Sequence, residues 1–421
     1  MQTSFSITQL ADPKIATSND VLRKCVHCGF CTATCPTYVL LGDENDSPRG
    51  RIYLIKEMLE QGKPATAETV KHVDRCLSCL SCMSTCPSGV NYMHLVDHAR
   101  QHIEETYKRP LFERVLRNAL AFIMPRPKMF RPLLIVARVA KVFAPLTSGR
   151  VKAALDLTPL HLPRPAALGA AGTYQAIGAK KGRLALLQGC VQSVLDPEIN
   201  AATIRLLTRL GFEVVVSAGE TCCGSLTHHM GKEQDALSRA RRVIDQWTDE
   251  SVDCVIITAS GCGVTIKDYG FMFRNEPAFA AKAAAISAKA KDITEFLAAL
   301  DLPQGQGAGR IAYQPACSLQ HGQQINSLPQ QLLRHAGFEV VEPQDAHLCC
   351  GSAGTYNIMQ PAISVQLKQR KLHSLAVLKP QAIASGNIGC ITQLGRDAGV
   401  PVIHTVQLLD WAYGGDKPPG L

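Results

Sequence analysis

Seventeen cysteines stand in a chain of 421 residues, and eight of them repeat one spacing. Cys25, Cys28, Cys31 and Cys35, followed by Pro36, give C-x2-C-x2-C-x3-C-P. Cys76, Cys79, Cys82 and Cys86, followed by Pro87, give the same run again. Residues 1–10 have neither the basic stretch nor the apolar run of a secretory signal, so export is not expected. Clustered cysteines in a reducing compartment read as metal ligands or reactive thiols rather than as disulfides. The odd total also fits poorly with a fully paired disulfide framework. Metal is the first expectation.

The spacing narrows the metal. Three thiolates at two-residue gaps wrap a tight loop around one face of a cubane iron–sulfur cluster. The fourth, held apart by the proline turn, reaches the other cluster, as in bacterial two-cluster ferredoxins. Cluster I is thereby assigned to Cys25, Cys28, Cys31 and Cys86, and cluster II to Cys76, Cys79, Cys82 and Cys35. Structural zinc sites show two separated cysteine pairs instead, so two [4Fe-4S] clusters are the expected cofactors. Between the motifs, Ile52, Ile55 and Leu59 predict a helix over residues 51–61, ended by Gly62 and Pro64. Asp43, Glu44 and Asp46 lack the order of a calcium loop and read as solvated.

The second half hides a duplication. Cys190 precedes the pair Cys222-Cys223-Gly224 by 32 residues, and Cys317 precedes Cys349-Cys350-Gly351 by 32 as well. Cys262 and Cys390 follow their pairs by 39 and 40 residues. Leu210-Gly211-Phe212-Glu213-Val214-Val215 answers Ala336-Gly337-Phe338-Glu339-Val340-Val341, so two copies of one domain are expected. In the first copy, strands are predicted at 183–187, 212–216 and 253–258, with helices at 198–210 and 226–247. That alternation implies a parallel sheet covered by helices. Cys190, Cys222, Cys223 and Cys262 fall just past the carboxyl ends of strands, where open α/β sheets bind ligands. The same holds for Cys317, Cys349, Cys350 and Cys390, so each copy offers four thiols as a further candidate metal or cluster site. Cys254 lies inside a strand and reads as core. His228, His229, His321 and His347 read as packing or surface residues.

Residues 106–155 hold eleven Lys or Arg and one acidic residue, Glu113, a net +10 against +9 for the whole chain. Basic and apolar residues alternate there, from Leu116 and Arg117 to Val139 and Lys141. This suits a helix at an anionic membrane surface or docking to an acidic partner. Few aromatics and no binding motif argue against nucleic acid. The longest aliphatic runs are a handful of residues, whereas a spanning helix needs about 20. Residues 147–181 are rich in Pro, Ala and Gly and read as a linker.

The resulting expectation is an α+β multidomain chain. A mostly helical two-cluster ferredoxin-type domain occupies residues 1–110, and the basic amphipathic segment and linker occupy 111–181. Two duplicated α/β Cys-Cys-Gly domains follow at 182–300 and 308–421.

Two ferredoxin motifs followed by two Cys-Cys-Gly domains resemble a family of respiratory electron-transfer subunits. That family includes heterodisulfide reductase subunits, the anaerobic glycerol-3-phosphate dehydrogenase C subunit and the glycolate oxidase iron–sulfur subunit. The likeness to the last is carried by Lys24-Cys25-Val26-His27-Cys28-Gly29-Phe30-Cys31, Asp46-Ser47-Pro48-Arg49-Gly50-Arg51 and Arg75-Cys76-Leu77-Ser78-Cys79. The resemblance implies FAD on two flavin-type partner subunits, hence a heterotrimer, oxidising glycolate to glyoxylate and also D-lactate. It places the chain peripherally at the cytoplasmic face of the inner membrane, passing electrons to a respiratory acceptor. In heterodisulfide reductase each Cys-Cys-Gly domain closes on Cys-x-x-Cys and holds a five-thiol non-cubane cluster. Here Ala259 and Asn387 stand where the fifth thiol would be, so that cluster does not carry over.

No Gly-rich dinucleotide fingerprint, G-x-S-x-G elbow or H-E-x-x-H helix occurs. Substrate oxidation therefore belongs to a partner, this chain has no catalytic residue of its own, and its expected role is electron relay. Two other readings differ in class. One is a glycerol-3-phosphate dehydrogenase or heterodisulfide reductase type subunit with redox chemistry in the Cys-Cys-Gly pockets. The other is a zinc protein gripping nucleic acid.

Overall fold

Proline sets the start of the N-terminal helices, because its fixed φ and missing N–H suit a first helical turn. Pro13, Pro36 and Pro48 open the helices Pro13–Lys24, Pro36–Leu41 and Pro48–Gln61. In the computed structural model, which describes residues 1–421, the first and third of these helices pack with Ala67–Asp74 and Tyr92–Thr106. Their core is Leu22, Ile55, Leu59, Val73, Leu95 and Ile103, all buried. The helix predicted over residues 51–61 begins three residues earlier. Ser47 caps it by accepting the Gly50 N–H at 3.0 Å, and left-handed Gly62 ends it.

The basic segment folds as Leu111–Ile123, Pro127–Ala140, a 3-10 turn Lys141–Leu146 and Gly149–Leu157. It is a jointed arm rather than one helix, because Pro127 and Pro145 interrupt the helical ladder. Part of the stretch read as linker is ordered. Gly172–Tyr174 forms β1, antiparallel to β3 (Phe212–Val216).

The first sheet runs β1-β3-β2-β4-β5, with β2 Gly182–Leu186, β4 Cys254–Ile257 and β5 Ala290–Asp292, all but β1 parallel. The second runs β7-β6-β8-β9, all parallel, from β6 Arg310–Tyr313, β7 Glu339–Val341, β8 Ala382–Ser385 and β9 Val402–His404. The helix expected over 226–247 is two, Ser225–His229 and Glu233–Asp249. The break falls at Gly231, φ 78°, where the Arg100 carbonyl of the N-terminal domain approaches too closely for any Cβ.

Alternate strand residues face opposite sides, and this joins the two copies. Leu184, Leu186, Val214 and Ile256 of the first sheet share a single core with Ile311, Tyr313, Ala382 and Ala384 of the second. Cys254 lies in that core, with its thiol donating to the Lys289 carbonyl at 3.1 Å. Helices Glu198–Arg209 and Thr405–Ala412 meet across the joint, where Arg205 and Arg209 both clasp the buried carboxylate of Asp410.

Candidate functional site

The two N-terminal cysteine loops take the same backbone path. His27 and Ser78, two residues after the first cysteine of each loop, are left-handed at φ 57° and 49°. Gly29 and Leu80, just after the second cysteine, are left-handed too, at 87° and 62°. Alternating right- and left-handed residues turn successive N–H groups inward, forming the concavity that holds anionic clusters. Cys25, Cys28, Cys31 and Cys86 line one small cavity of ≈ 30 Å³, with Cys82 in its wall. Cys35 lies outside that cavity, within electrostatic reach of Cys79 and Cys82 and also of Cys31. All of these thiols are free. Burial and the neighbouring thiols push Cys79 and Cys82 well above the ordinary thiol range. The protons would leave when a cationic metal core binds. Donor type, number and loop geometry fit two four-thiolate clusters.

Of the three acids read as solvated, Glu44 is exposed and Asp43 half-buried, but Asp46 is not solvated. It is fully buried, and its carboxylate takes Arg51 at 3.2 Å, Arg75 at 2.7 Å and His72 at 2.9 Å. A lone buried carboxylate would be costly, and these partners compensate it. The arrangement aims Arg51 at the cysteine loops: its Nη1 lies 3.8 Å from Cys35 Sγ, and its Nη2 donates to Thr37 Oγ1 at 3.0 Å. Arg100 fixes the other loop, donating to the Cys76 carbonyl and to Ser78 Oγ, each at 2.6 Å.

The Cys-Cys-Gly motifs have a steric cause. Gly224 and Gly351 adopt φ 86° and 87°, and a Cβ there would stand 2.7 Å from the Ala236 carbonyl oxygen and 2.6 Å from that of Ser364. Only glycine admits that approach. Each pair thereby sits in the loop after β3 or β7. Cys190 and Cys317 follow β2 and β6, while Cys262 and Cys390 lie in Ser260–Lys267 and Ile388–Gly395, after β4 and β8. The order β3-β2-β4 reverses direction between β2 and β4, the crevice where such sheets take ligands.

In the first copy the thiols pair as Cys190 with Cys222 and Cys223 with Cys262. In the second they form a chain, with Cys317 and Cys349 sulfurs 3.7 Å apart and Cys350 between Cys349 and Cys390. The neighbouring Cys190 thiol holds Cys222 below the ordinary thiol range, with help from the Gly224 N–H and Arg239. Each copy also buries a cation that the sequence does not flag, Arg239 and Lys371, both 2 % exposed. Lys371 is anchored on the Asp345 carbonyl at 2.6 Å, beside Cys349, Cys350 and Cys390. Buried positive charge suits anionic thiolate sites. Nothing local marks either residue, since both sit on helices that read as ordinary charged surface.

The expected two pockets are one. Both sets of four cysteines line a single cavity of ≈ 250 Å³ between the two copies, roofed by Cys76 and Arg100 of the N-terminal domain. Ala259 and Asn387 face it too, and the Asn387 amide donates to Cys390 Sγ at 3.9 Å. Cys79 packs with Cys349, with Cys317 alongside, so the second cysteine loop touches the second copy. His321 is held between Ser84 Oγ, 2.7 Å, and the His347 carbonyl, 3.0 Å, as a packing residue. His228 and His229 do more than pack, because both face Asp97.

The chain matches the 4Fe-4S dicluster domain family over residues 21–90 and the cysteine-rich (CCG) domain family over 184–267 and 311–395. It is 41% identical over 418 residues to the glycolate oxidase iron-sulfur subunit of Escherichia coli K12, covering 98% of this chain and 99% of that one. It is 31% identical to the probable glycolate oxidase iron-sulfur subunit of Bacillus subtilis 168, covering 93% and 94%. Lactate utilization protein A of Geobacillus thermodenitrificans is 27% identical, covering 54% of this chain and 98% of that one. The order of the cysteine loops, the doubled Cys-Cys-Gly sheets and this end-to-end similarity agree: the chain belongs to the family of glycolate oxidase iron–sulfur subunits.

Proposed function

We propose that this chain relays electrons within a glycolate-oxidising complex. Flavin-type partner subunits, with this chain making a heterotrimer, oxidise glycolate to glyoxylate, and D-lactate as well. The carrying observation is contiguity: the loop of Cys76, Cys79 and Cys82 abuts Cys317 and Cys349, whose cavity it roofs. Cubane clusters supply one-electron steps when bound, with Cys25, Cys28, Cys31 and Cys86 holding cluster I, and Cys76, Cys79, Cys82 and Cys35 cluster II. Cys28 is exposed beside Val26 and Phe30, 67% and 63% exposed, an apolar patch where a flavin subunit docks. Arg51 holds positive charge beside Cys35, which favours the reduced, more anionic state.

On this reading the complex works at a membrane surface, and the exposed side chains of the arm support it. Leu111, Phe112, Val136, Val139, Val142 and Leu146 are all 60% or more exposed, interleaved with Arg114, Arg126, Lys128, Arg131, Arg138 and Lys141. No helix is long and apolar enough to cross a bilayer. Apolar side chains between basic ones suit the headgroup boundary of an anionic leaflet, the cytoplasmic face of the inner membrane.

Iron and sulfide analysis of anaerobic protein, with electron paramagnetic resonance, tests the relay. About eight irons in two four-iron clusters are expected, both reducible by dithionite and, in the assembled complex, by glycolate. Colourless protein carrying zinc overturns it. If the pockets themselves do the chemistry, Cys222→Ser and Cys349→Ser abolish turnover while both cubanes still reduce.

A further inference from the structure

Two imidazoles on adjacent residues face opposite spaces. His229 lines the central cysteine cavity. His228 lines a separate polar cleft of ≈ 260 Å³ between the N-terminal domain and the first Cys-Cys-Gly domain. Asp97, 9% exposed, lies between them: its Oδ2 is 3.2 Å from His228 Nε2, and its Oδ1 is 3.5 Å from His229 Nδ1. That second pair is too long for a hydrogen bond, and both atoms are buried without a partner, so a small turn of the His229 ring closes the path.

The charges around the path keep it poised. Burial opposes a charged His228 ring, but Asp97, with Asp268 and Glu233 facing it from two other elements, holds it above its ordinary value. Against its own burial, Asp97 is held well below the usual carboxylate range by the two imidazoles. Lys14, His98 and Arg274 share the cleft.

The cavity at the inner end is walled by the arm. Glu113, Arg117, Met124 and Arg150 line it, and Arg117 and Arg150 fasten the arm there by donating to the Met230 and Met359 carbonyls at 2.7 and 3.1 Å. Most of the exposed lining is apolar, and the volume approaches the roughly 300 Å³ at the low end of small-ligand pockets. A cavity ringed by free thiols, lying under an amphipathic arm and supplied with a proton path, suits a lipophilic acceptor that takes up protons with its electrons.

We infer that the central cavity reduces a quinone, and that His229, Asp97 and His228 deliver its protons from the cleft. This rests on the relay reading above. Two electrons arrive singly from the chain's redox centres, drawn from the 2-hydroxy acid oxidised by the partner. The quinone's two carbonyl oxygens each take a proton, giving the hydroquinone. His229 gives a proton into the cavity, Asp97 stabilises the imidazolium of either ring, and His228 is refilled from the cleft.

The test uses the full anaerobic chain with its clusters, reduced by dithionite and mixed with a short-chain ubiquinone analogue or with ferricyanide. Asp97→Asn and His229→Gln should each slow re-oxidation by the quinone about tenfold or more, as loss of a proton-transfer group does. Both should enlarge the solvent deuterium effect, and Asp97→Glu should restore the rate. Ferricyanide, which needs no proton, should react with variant and parent alike. A separate binding measurement uses Met124→Trp in the cavity wall, whose fluorescence the quinone analogue should quench saturably. Equal quinone rates in all variants, or unsaturable quenching, would overturn the inference. Failure of ferricyanide to re-oxidise the parent chain would instead overturn the relay itself.

Discussion

Arg51 places its guanidinium 3.8 Å from the sulfur of Cys35 while 1% of the residue is exposed. Both the cation and the thiol are sealed from solvent, and the carboxylate of Asp46 holds the guanidinium in place. Arg51→Met would remove one positive charge next to cluster II. At an effective dielectric near 20, a charge several ångströms away is worth a few kcal/mol, so the cluster II potential should fall by on the order of 100 mV. Redox titration followed by electron paramagnetic resonance checks this, with cluster I as the internal reference. An unchanged potential would show that Arg51 only supports the fold.

The cysteine loops are legible in the sequence because their meaning is local, a spacing that one stretch of chain carries by itself. The duplication is legible for a similar reason, since Gly211-Phe212 and Gly337-Phe338 keep a constant offset from their cysteines. What escapes is tertiary. Asp46 looks like any loop acid until Arg51, Arg75 and His72 arrive from two other segments. Asp97 and His228 lie far apart in the chain, and their helices meet only because Gly231 lets the Arg100 carbonyl in. β5 and β9, three residues each, are too short to show a period. The composition of the arm suggests a helix, but its prolines break it into joints.

Gly351 and Gly354 separate backbone strain from crowding. Both are left-handed, at φ 87° and 65°, but a Cβ on Gly351 would meet the Ser364 carbonyl oxygen at 2.6 Å, whereas around Gly354 there is open space. Left-handed backbone alone costs a non-glycine residue about 1–2 kcal/mol, so Gly354→Ala should lose about that much. Gly351→Ala adds a backbone clash and should lose about 3 kcal/mol or more. Thermal unfolding of the anaerobic protein reads the contrast, and equal losses would deny the steric account of the Cys-Cys-Gly motif.

Val139, Val142 and Leu146 are 71%, 79% and 84% exposed on the arm. Burying an aliphatic side chain is worth about 1.5–3 kcal/mol. If only part of each enters the lipid boundary, replacing all three by Ser should weaken vesicle binding by about a hundredfold. Flotation with vesicles containing anionic lipid measures this, and binding should also weaken as salt rises. Unaltered flotation, or equal binding to neutral vesicles at high salt, would move the arm from membrane to protein partner.

His404 ties stability to pH at the joint between the two copies. Its Nε2 lies 2.7 Å from the Thr258 carbonyl oxygen and must donate, while its Nδ1 accepts the Val406 N–H at 3.1 Å. Those two bonds demand the neutral ring, and complete burial lowers its pKa to about 4. The unfolded chain, with histidine near about 6.5, binds the proton first. Folding stability is therefore full above about pH 6.5 and falls as pH drops toward 4, by about 1.4 kcal/mol for each tenfold rise in proton activity across that window. His404→Gln keeps a side-chain donor and acceptor without a titrating ring. Denaturant unfolding at about pH 7 and about pH 4.5, either side of most of that loss, should show a smaller acid loss in the variant than in the parent. An identical acid loss in both would assign the sensitivity to other groups, with His98, also lowered to about 4 by burial, the next to replace.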